Sequence, residues 1–159
     1  MGAPASILGI AEVVLNVVDI ETMSAFYREV LGLAFHSDAR LPAEEDGDER
    51  PTIVFLRVMD PGTPLSSGDH PQLLALIDPA RHGPAQGQFA AVRAAASTLN
   101  HLAFEIAPDD HDRELARLDE LGLAPRVVEF PHMAARAIFF YDPEGNTLEL
   151  ISHDPELIA

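Results

Sequence analysis

At 159 residues the chain is long enough for one domain or for two half-size modules, and its 47% apolar content is ordinary for a globular fold. It contains no cysteine, which excludes disulfides, thiolate metal sites and cysteine nucleophiles and leaves His, Asp and Glu as the strong metal ligands. A formal net charge of −16 repels phosphate backbones and argues against a nucleic-acid partner.

From the N-terminus, Met1-Gly2-Ala3-Pro4 lacks the basic segment and apolar run of a secretion signal. No stretch approaches the roughly 18 uninterrupted apolar residues of a membrane span, so a cytoplasmic location is the expectation. Glu12 to Val18 is rich in β-branched residues and predicts a strand. Asp19 is placed to cap a helix, with Ile20, Met23, Tyr27, Val30 and Leu31 at helical spacing and Gly32 as its stop. The acidic run Glu44, Glu45, Asp46, Asp48, Glu49 predicts a solvated loop. Apolar strands follow at Ile53 to Leu56 and Leu74 to Ile77. Pro79 to Ser97, rich in Pro, Gly, Gln and Ala, predicts a linker that ends in a short helix. Beyond it, the strand from His101 precedes a helix capped near Asp109 or Asp110. Leu115 and Leu118 share one face of that helix, and Gly122 stops it.

The chain repeats itself. Leu31-Gly32-Leu33-Ala34 recurs as Leu121-Gly122-Leu123-Ala124, and Glu12 corresponds to His101, 89 residues later. The run Ile53-Val54-Phe55-Leu56 leading to Asp60-Pro61 corresponds to Ile138-Phe139-Phe140-Tyr141 leading to Asp142-Pro143. The closing Leu74-Ala75-Leu76-Ile77 corresponds to Leu148-Glu149-Leu150-Ile151, 74 residues later. The first copy therefore carries 15 extra residues, in the acidic stretch after Arg40 and in Gly62 to Asp69, where loop-like composition tolerates insertion. The expected architecture is α+β: a first βαβββ module over residues 1–78, a linker over 79–97 and a second βαβββ module over 98–159. Together they would make one compact domain with a curved, partly closed, eight-stranded mixed sheet and helices outside.

Strand alternation assigns faces. Val13, Leu15 and Val17 would pack under the first helix, leaving Glu12, Val14 and Asn16 on the other side. Leu102, Phe104 and Ile106 oppose His101, Ala103 and Glu105, and Leu148 and Leu150 oppose Thr147, Glu149 and Ile151. If a pseudo-twofold axis relates the modules, Glu12, His101 and Glu149 fall on one concave surface. Two carboxylates in a half-buried site need a proton or a cation between them. With a neutral imidazole they suit Fe(II), Mn(II), Ni(II) or Zn(II).

Glu12 to Leu33 resembles the opening pattern of the vicinal oxygen chelate superfamily, which unites glyoxalases, bleomycin-resistance proteins and extradiol dioxygenases. His101-Leu-Ala-Phe-Glu105 resembles the start of its second module. The stretch from His132 through Phe139-Phe-Tyr141-Asp-Pro-Glu-Gly-Asn-Thr-Leu-Glu149 resembles the closing signature of its small dioxygenase-like branch. The resemblance implies a divalent metal held by the first strand of each module and by the last strand, so Glu12, His101 and Glu149 are the expected ligands. Glu12 stands where dioxygenase-like members place a His, and Ala75 where glyoxalase-type members place a fourth ligand. Phe139 stands where the dioxygenase branch places a Tyr. Tyr141, two residues on with the same strand parity, is the expected substitute, and His132 matches a His that serves as acid/base near the substrate. By analogy with the family, a homodimer is expected.

Three functions remain open at this point. One is a metal-dependent enzyme of dioxygenase type acting on a small substrate with adjacent oxygens. Another is a glyoxalase-like lyase or isomerase. The last is a metal-free protein that sequesters a small molecule such as an antibiotic.

Overall fold

The computed structural model describes residues 9–42, 44, 47–60, 70–85 and 99–154. Glu45 and Asp46 of the acidic run, the Gly62–Asp69 insertion and the part of the expected linker from 86 onward, with its short helix, lie outside these residues. The chain divides into two compact units between Val92 and Arg93. The first contains β1 (Glu12–Asn16), α1 (Ile20–Glu29), β2 (Ala34–Ala39), β3 (Ile53–Met59) and β4 (Gln72–Ile77). The second contains β5 (Leu102–Glu105), α2 (His111–Glu120), β6 (Arg126–Phe130), β7 (Ala135–Tyr141) and β8 (Thr147–His153). Both are βαβββ modules. Each forms a four-stranded mixed sheet, in the orders β1-β4-β3-β2 and β5-β8-β7-β6, with the first and last strands of the module parallel and the others antiparallel.

Local chemistry explains the elements. Asp19 caps α1: its carboxylate accepts from Thr22 N at 3.0 Å and from the Thr22 hydroxyl at 2.8 Å. Those bonds favour the ionised form and hold the Asp19 carboxyl below its ordinary range. The buried face of α1 is Ile20, Met23, Phe26 and Tyr27, so Phe26 takes the place expected for Val30 and Leu31, which are only half-buried. Helix α2 grows out of a 3₁₀ turn over Pro108–Asp110 and ends as a Schellman motif. Leu123 N donates to Leu118 O and Gly122 N to Asp119 O, with Gly122 at φ +75°. Among the described residues, no helix is long and apolar enough to cross a membrane.

Helix-facing strand residues form each module's core. In the first unit these are Leu15, Val17, Val54, Leu56, Leu74 and Leu76, each at most 6% exposed; in the second they include Ile138, Phe140, Leu148 and Leu150. His111, on the buried face of α2, joins the second core, with Nδ1 3.1 Å from Asp112 Oδ1. The His111 ring and then Arg136 lower the Asp112 carboxyl below its ordinary range.

The ladders reproduce the repeat in the first and last strands, while in the third strand Phe55 is equivalent to Phe139, one residue out from the match of Ile53 with Ile138 read from the sequence. Val14 pairs with Ala75 and Phe55 with Ala75, while Ala103 pairs with Glu149 and Phe139 with Glu149. The repeat offsets of 89 for the first strand and 74 for the last are therefore the offsets of spatially equivalent positions. The shift at the Asp-Pro landmark coincides with an irregularity between Arg57 and Met59, where β3 slips against β4.

The Asp142–Asn146 segment sets the β7–β8 register. Asp142 Oδ1 accepts from Glu144 N (3.0 Å) and Asn146 N (2.9 Å), and Oδ2 accepts from the Asn146 amide at 2.7 Å. Gly145 occupies φ +84° and has open space around the position of a β-carbon, so only backbone conformation requires glycine there. Gly145→Ala is expected to destabilise the protein by about 1–2 kcal/mol, read as a lower melting temperature, with Gly145→Asn costing less. An unchanged melting temperature for the alanine variant would refute this account of the turn.

Candidate functional site

The second unit brings two of the expected ligands together. His101 immediately precedes β5, and Glu149 is the third residue of β8. The parallel pairing of Leu102 with Leu148 and Ala103 with Glu149 places them side by side on the face away from α2. His101 Nε2 lies 2.9 Å from Glu149 Oε2. The Glu149 side chain is only 6% exposed, whereas that of His101 is 37% exposed.

The imidazole is oriented from behind by Asn100, whose side-chain oxygen lies 2.7 Å from His101 Nδ1. An amide oxygen only accepts, so Nδ1–H donates to Asn100, and Nε2 is left facing the Glu149 carboxylate at a distance that a shared proton or a bound cation must bridge. Phe139, opposite Glu149 in the β7–β8 ladder, meets the ring edge-on, with centroids 5.8 Å apart and planes at 86°. The imidazole is thus fixed on three sides.

This arrangement fits a divalent metal. A lone pair and a buried carboxylate facing one another require a proton or a cation to complete them. His101 Nε2 and Glu149 Oε2, 2.9 Å apart, are the two groups that would hold such an ion. The Nδ1–H donated to Asn100 is the outer hydrogen bond that metal-ligating histidines ordinarily make.

The remaining expected site residues are placed as follows. Glu12 is exposed at the start of β1 in the first unit, on the face away from α1. Its module offers Ala75, fully buried, at the ladder position that Glu149 occupies in the second. Within the second unit, no third His, Asp or Glu among the described residues joins the His101–Glu149 pair to form a metal-binding cluster. Tyr141 is 60% exposed at the end of β7, paired with Thr147, and shares the face of Phe139 and Glu149. His132 lies in the exposed 3₁₀ turn Pro131–Met133 before β7, with its ring against Phe130 at 6.5 Å. That turn precedes Ala135, which pairs with His153, so His132 sits at the end of the β7–β8 pair opposite to Tyr141.

A family model for the Glyoxalase/Bleomycin resistance protein/Dioxygenase superfamily matches residues 9–150. The chain belongs to this superfamily. Solved structures share the fold at low identity. A glyoxalase/dioxygenase from Nostoc punctiforme is 23% identical with a TM-score of 0.60, covering 98% of this chain and 97% of that one. A mutant of the fosfomycin resistance protein FosX from Listeria monocytogenes, complexed with Mn(II) and 1S,2S-dihydroxypropylphosphonic acid, is 17% identical with a TM-score of 0.60, covering 96% and 97%. A lactoylglutathione lyase from Agrobacterium tumefaciens is 19% identical with a TM-score of 0.57, covering 95% and 96%. Among curated protein sequences none matches.

Asn100 is the residue of this superfamily member that sequence reasoning missed. Its adjacency to His101 is visible in the sequence, but its hydrogen bond depends on side-chain geometry. In ¹⁵N-labelled protein, the neutral His101 ring is expected to show the proton on Nδ1. Asn100→Leu should move the ring toward the Nε2–H tautomer, as read from two-bond ¹H–¹⁵N spectra. An Nε2–H signature in the unsubstituted protein would overturn the assignment.

Proposed function

We propose that the chain is a divalent-metal-dependent enzyme of the vicinal oxygen chelate type, acting on a small substrate with adjacent oxygens in a dioxygenase-like manner. The 2.9 Å approach of His101 Nε2 to the buried Glu149 carboxylate, with Nδ1 tied to Asn100, carries this reading. Glu12 is the proposed third ligand, supplied by the equivalent strand of the first module. A divalent ion held by these residues would supply Lewis-acid polarisation of the substrate oxygens.

The residues of this chain do the rest. Glu149 and Glu12 bring two negative charges, so the site favours a hard ion such as Mn(II) or Fe(II). Asn100 holds the His101 ring so that Nε2 stays available. Phe139 gives the substrate an apolar wall beside the imidazole and excludes water there. By the family resemblance His132 is assigned the acid/base role and Tyr141 the phenolic hydrogen bond; both are exposed, and they lie at opposite ends of the β7–β8 pair.

The three-ligand reading is favoured over the four-ligand glyoxalase type by the buried methyl of Ala75 at the position equivalent to Glu149. No side chain there supplies a fourth donor. The metal-free sequestering reading is disfavoured by the buried Glu149 carboxylate, which has no use in a merely apolar cavity and is costly to bury.

Elemental analysis of the purified protein is expected to find stoichiometric divalent metal. His101→Ala and Glu149→Gln should each lower metal affinity at least 100-fold, and Glu12→Gln should lower it less. Full metal retention in the first two variants would refute the site. Fe(II)-loaded protein is expected to consume oxygen with catechols, and His132→Ala should lower kcat with KM little changed. If no catechol supports oxygen uptake while a hemithioacetal is isomerised, the dioxygenase-like reading is wrong and the glyoxalase-like one right.

A further inference from the structure

All ten cationic residues of this chain are arginines, set against 26 Asp and Glu. Nine of the ten lie among the described residues. Arg50, Arg57, Arg81, Arg113, Arg117 and Arg136 each pair with a carboxylate. Arg40 donates to the Asp48 carbonyl, and Arg28 lies over the Phe35 ring. Arg126 alone among the described arginines makes no ion pair, hydrogen bond or ring contact. In so acidic a molecule, an arginine with none of these partners is the exception.

Its place in the sheet gives that exception meaning. Arg126 pairs with Phe139 across β6–β7, Phe139 pairs with Glu149 across β7–β8, and Glu149 pairs with Ala103 across β8–β5. Directly paired residues project from the same face. One row across the second sheet therefore reads guanidinium, phenyl ring, carboxylate and methyl, with His101 beside the carboxylate. The flanking row on that face runs Val128, Ala137, Ile151 and Glu105, apolar beside Arg126 and Phe139 and acidic only on the far strand. Arg126 stands two strand spacings from Glu149, about 10 Å.

We propose that Arg126 receives the carboxylate of the substrate, and that the substrate is an aromatic acid. Its ring lies along Phe139, and its adjacent oxygens reach the His101–Glu149 end. This assignment rests on the chelating reading of that pair. A guanidinium binds a carboxylate through two parallel N–H···O bonds, so Arg126 would set both the orientation of the ring and the preference for an anionic substrate. The edge position of β6 leaves the guanidinium exposed to an incoming ligand.

The test uses calorimetric titration of the full chain, metal-free and Mn(II)-loaded, with two probes: 3,4-dihydroxyphenylacetate and 4-methylcatechol. The unsubstituted protein is expected to bind the acid at least about tenfold more tightly. Arg126→Gln should abolish that preference and leave 4-methylcatechol affinity unchanged, and Arg126→Lys should keep part of it. Equal affinity for the two probes in the unsubstituted protein, or a preference that survives Arg126→Gln, overturns the proposal. The chelating reading fails separately if His101→Ala and Glu149→Gln weaken neither probe. In that case an Arg126-dependent preference would still uphold the carboxylate subsite.

Discussion

The parallel pairing of β5 with β8 is the constraint on which the site depends. It joins the beginning and the end of the second module. Because side chains alternate with a period of two, a slip of one residue would turn Glu149 into the helix-packed core and bring Leu148 or Leu150 to His101. The slip is opposed on both sides of the sheet. Leu148 and Leu150 are buried beneath α2, and the Asp142–Asn146 turn fixes how β7 meets β8. A buried carboxylate is thereby held against an imidazole nitrogen at 2.9 Å, an arrangement stable only with positive charge between or beside the two.

The modules keep one framework and differ in chemistry. Equivalent ladder positions carry Ala75 in one and Glu149 in the other, Phe55 in one and Phe139 in the other, and Glu12 answers His101. Conserving the helix-facing leucines and valines preserves the fold, while the opposite face is free to change. In this member of the superfamily the second module brings an imidazole and a buried carboxylate together, whereas the first carries Glu12 and Ala75 at the equivalent positions. Membership of a superfamily with glyoxalase, dioxygenase and FosX structures fixes the architecture and leaves the reaction to the side chains on that face.

Charge is distributed with the same economy. In the first unit, Arg40, Arg50 and Arg81 converge on Asp48 and tie the acidic segment back to the residues after β4. The Arg50 guanidinium and backbone hold the Asp48 carboxyl well below the ordinary carboxylate range. Beside them, the buried Thr52 hydroxyl accepts from Leu41 N and lies 2.9 Å from His82 Nδ1, and burial lowers the readiness of that ring to take a proton. These arginines serve the fold, which is why the one on the site face without such a partner stands apart.

The sequence by itself determined the two βαβββ modules, their equivalence and the faces of their strands. These follow from short-range patterns: β-branched alternation, Asp19 at a helix start, glycine at helix ends, and landmarks whose offsets match the ladders in the first and last strands, though the third-strand match was one residue out. It also placed His101 and Glu149 on one face, through the repeat and strand parity together. Other features were decided only by tertiary structure. The Asn100–His101 hydrogen bond, the burial of Phe26 and His111, and the partners of each arginine depend on rotamers and cross-strand distances, which residue order does not encode locally. Alternation specifies a side; only register and packing specify a neighbour.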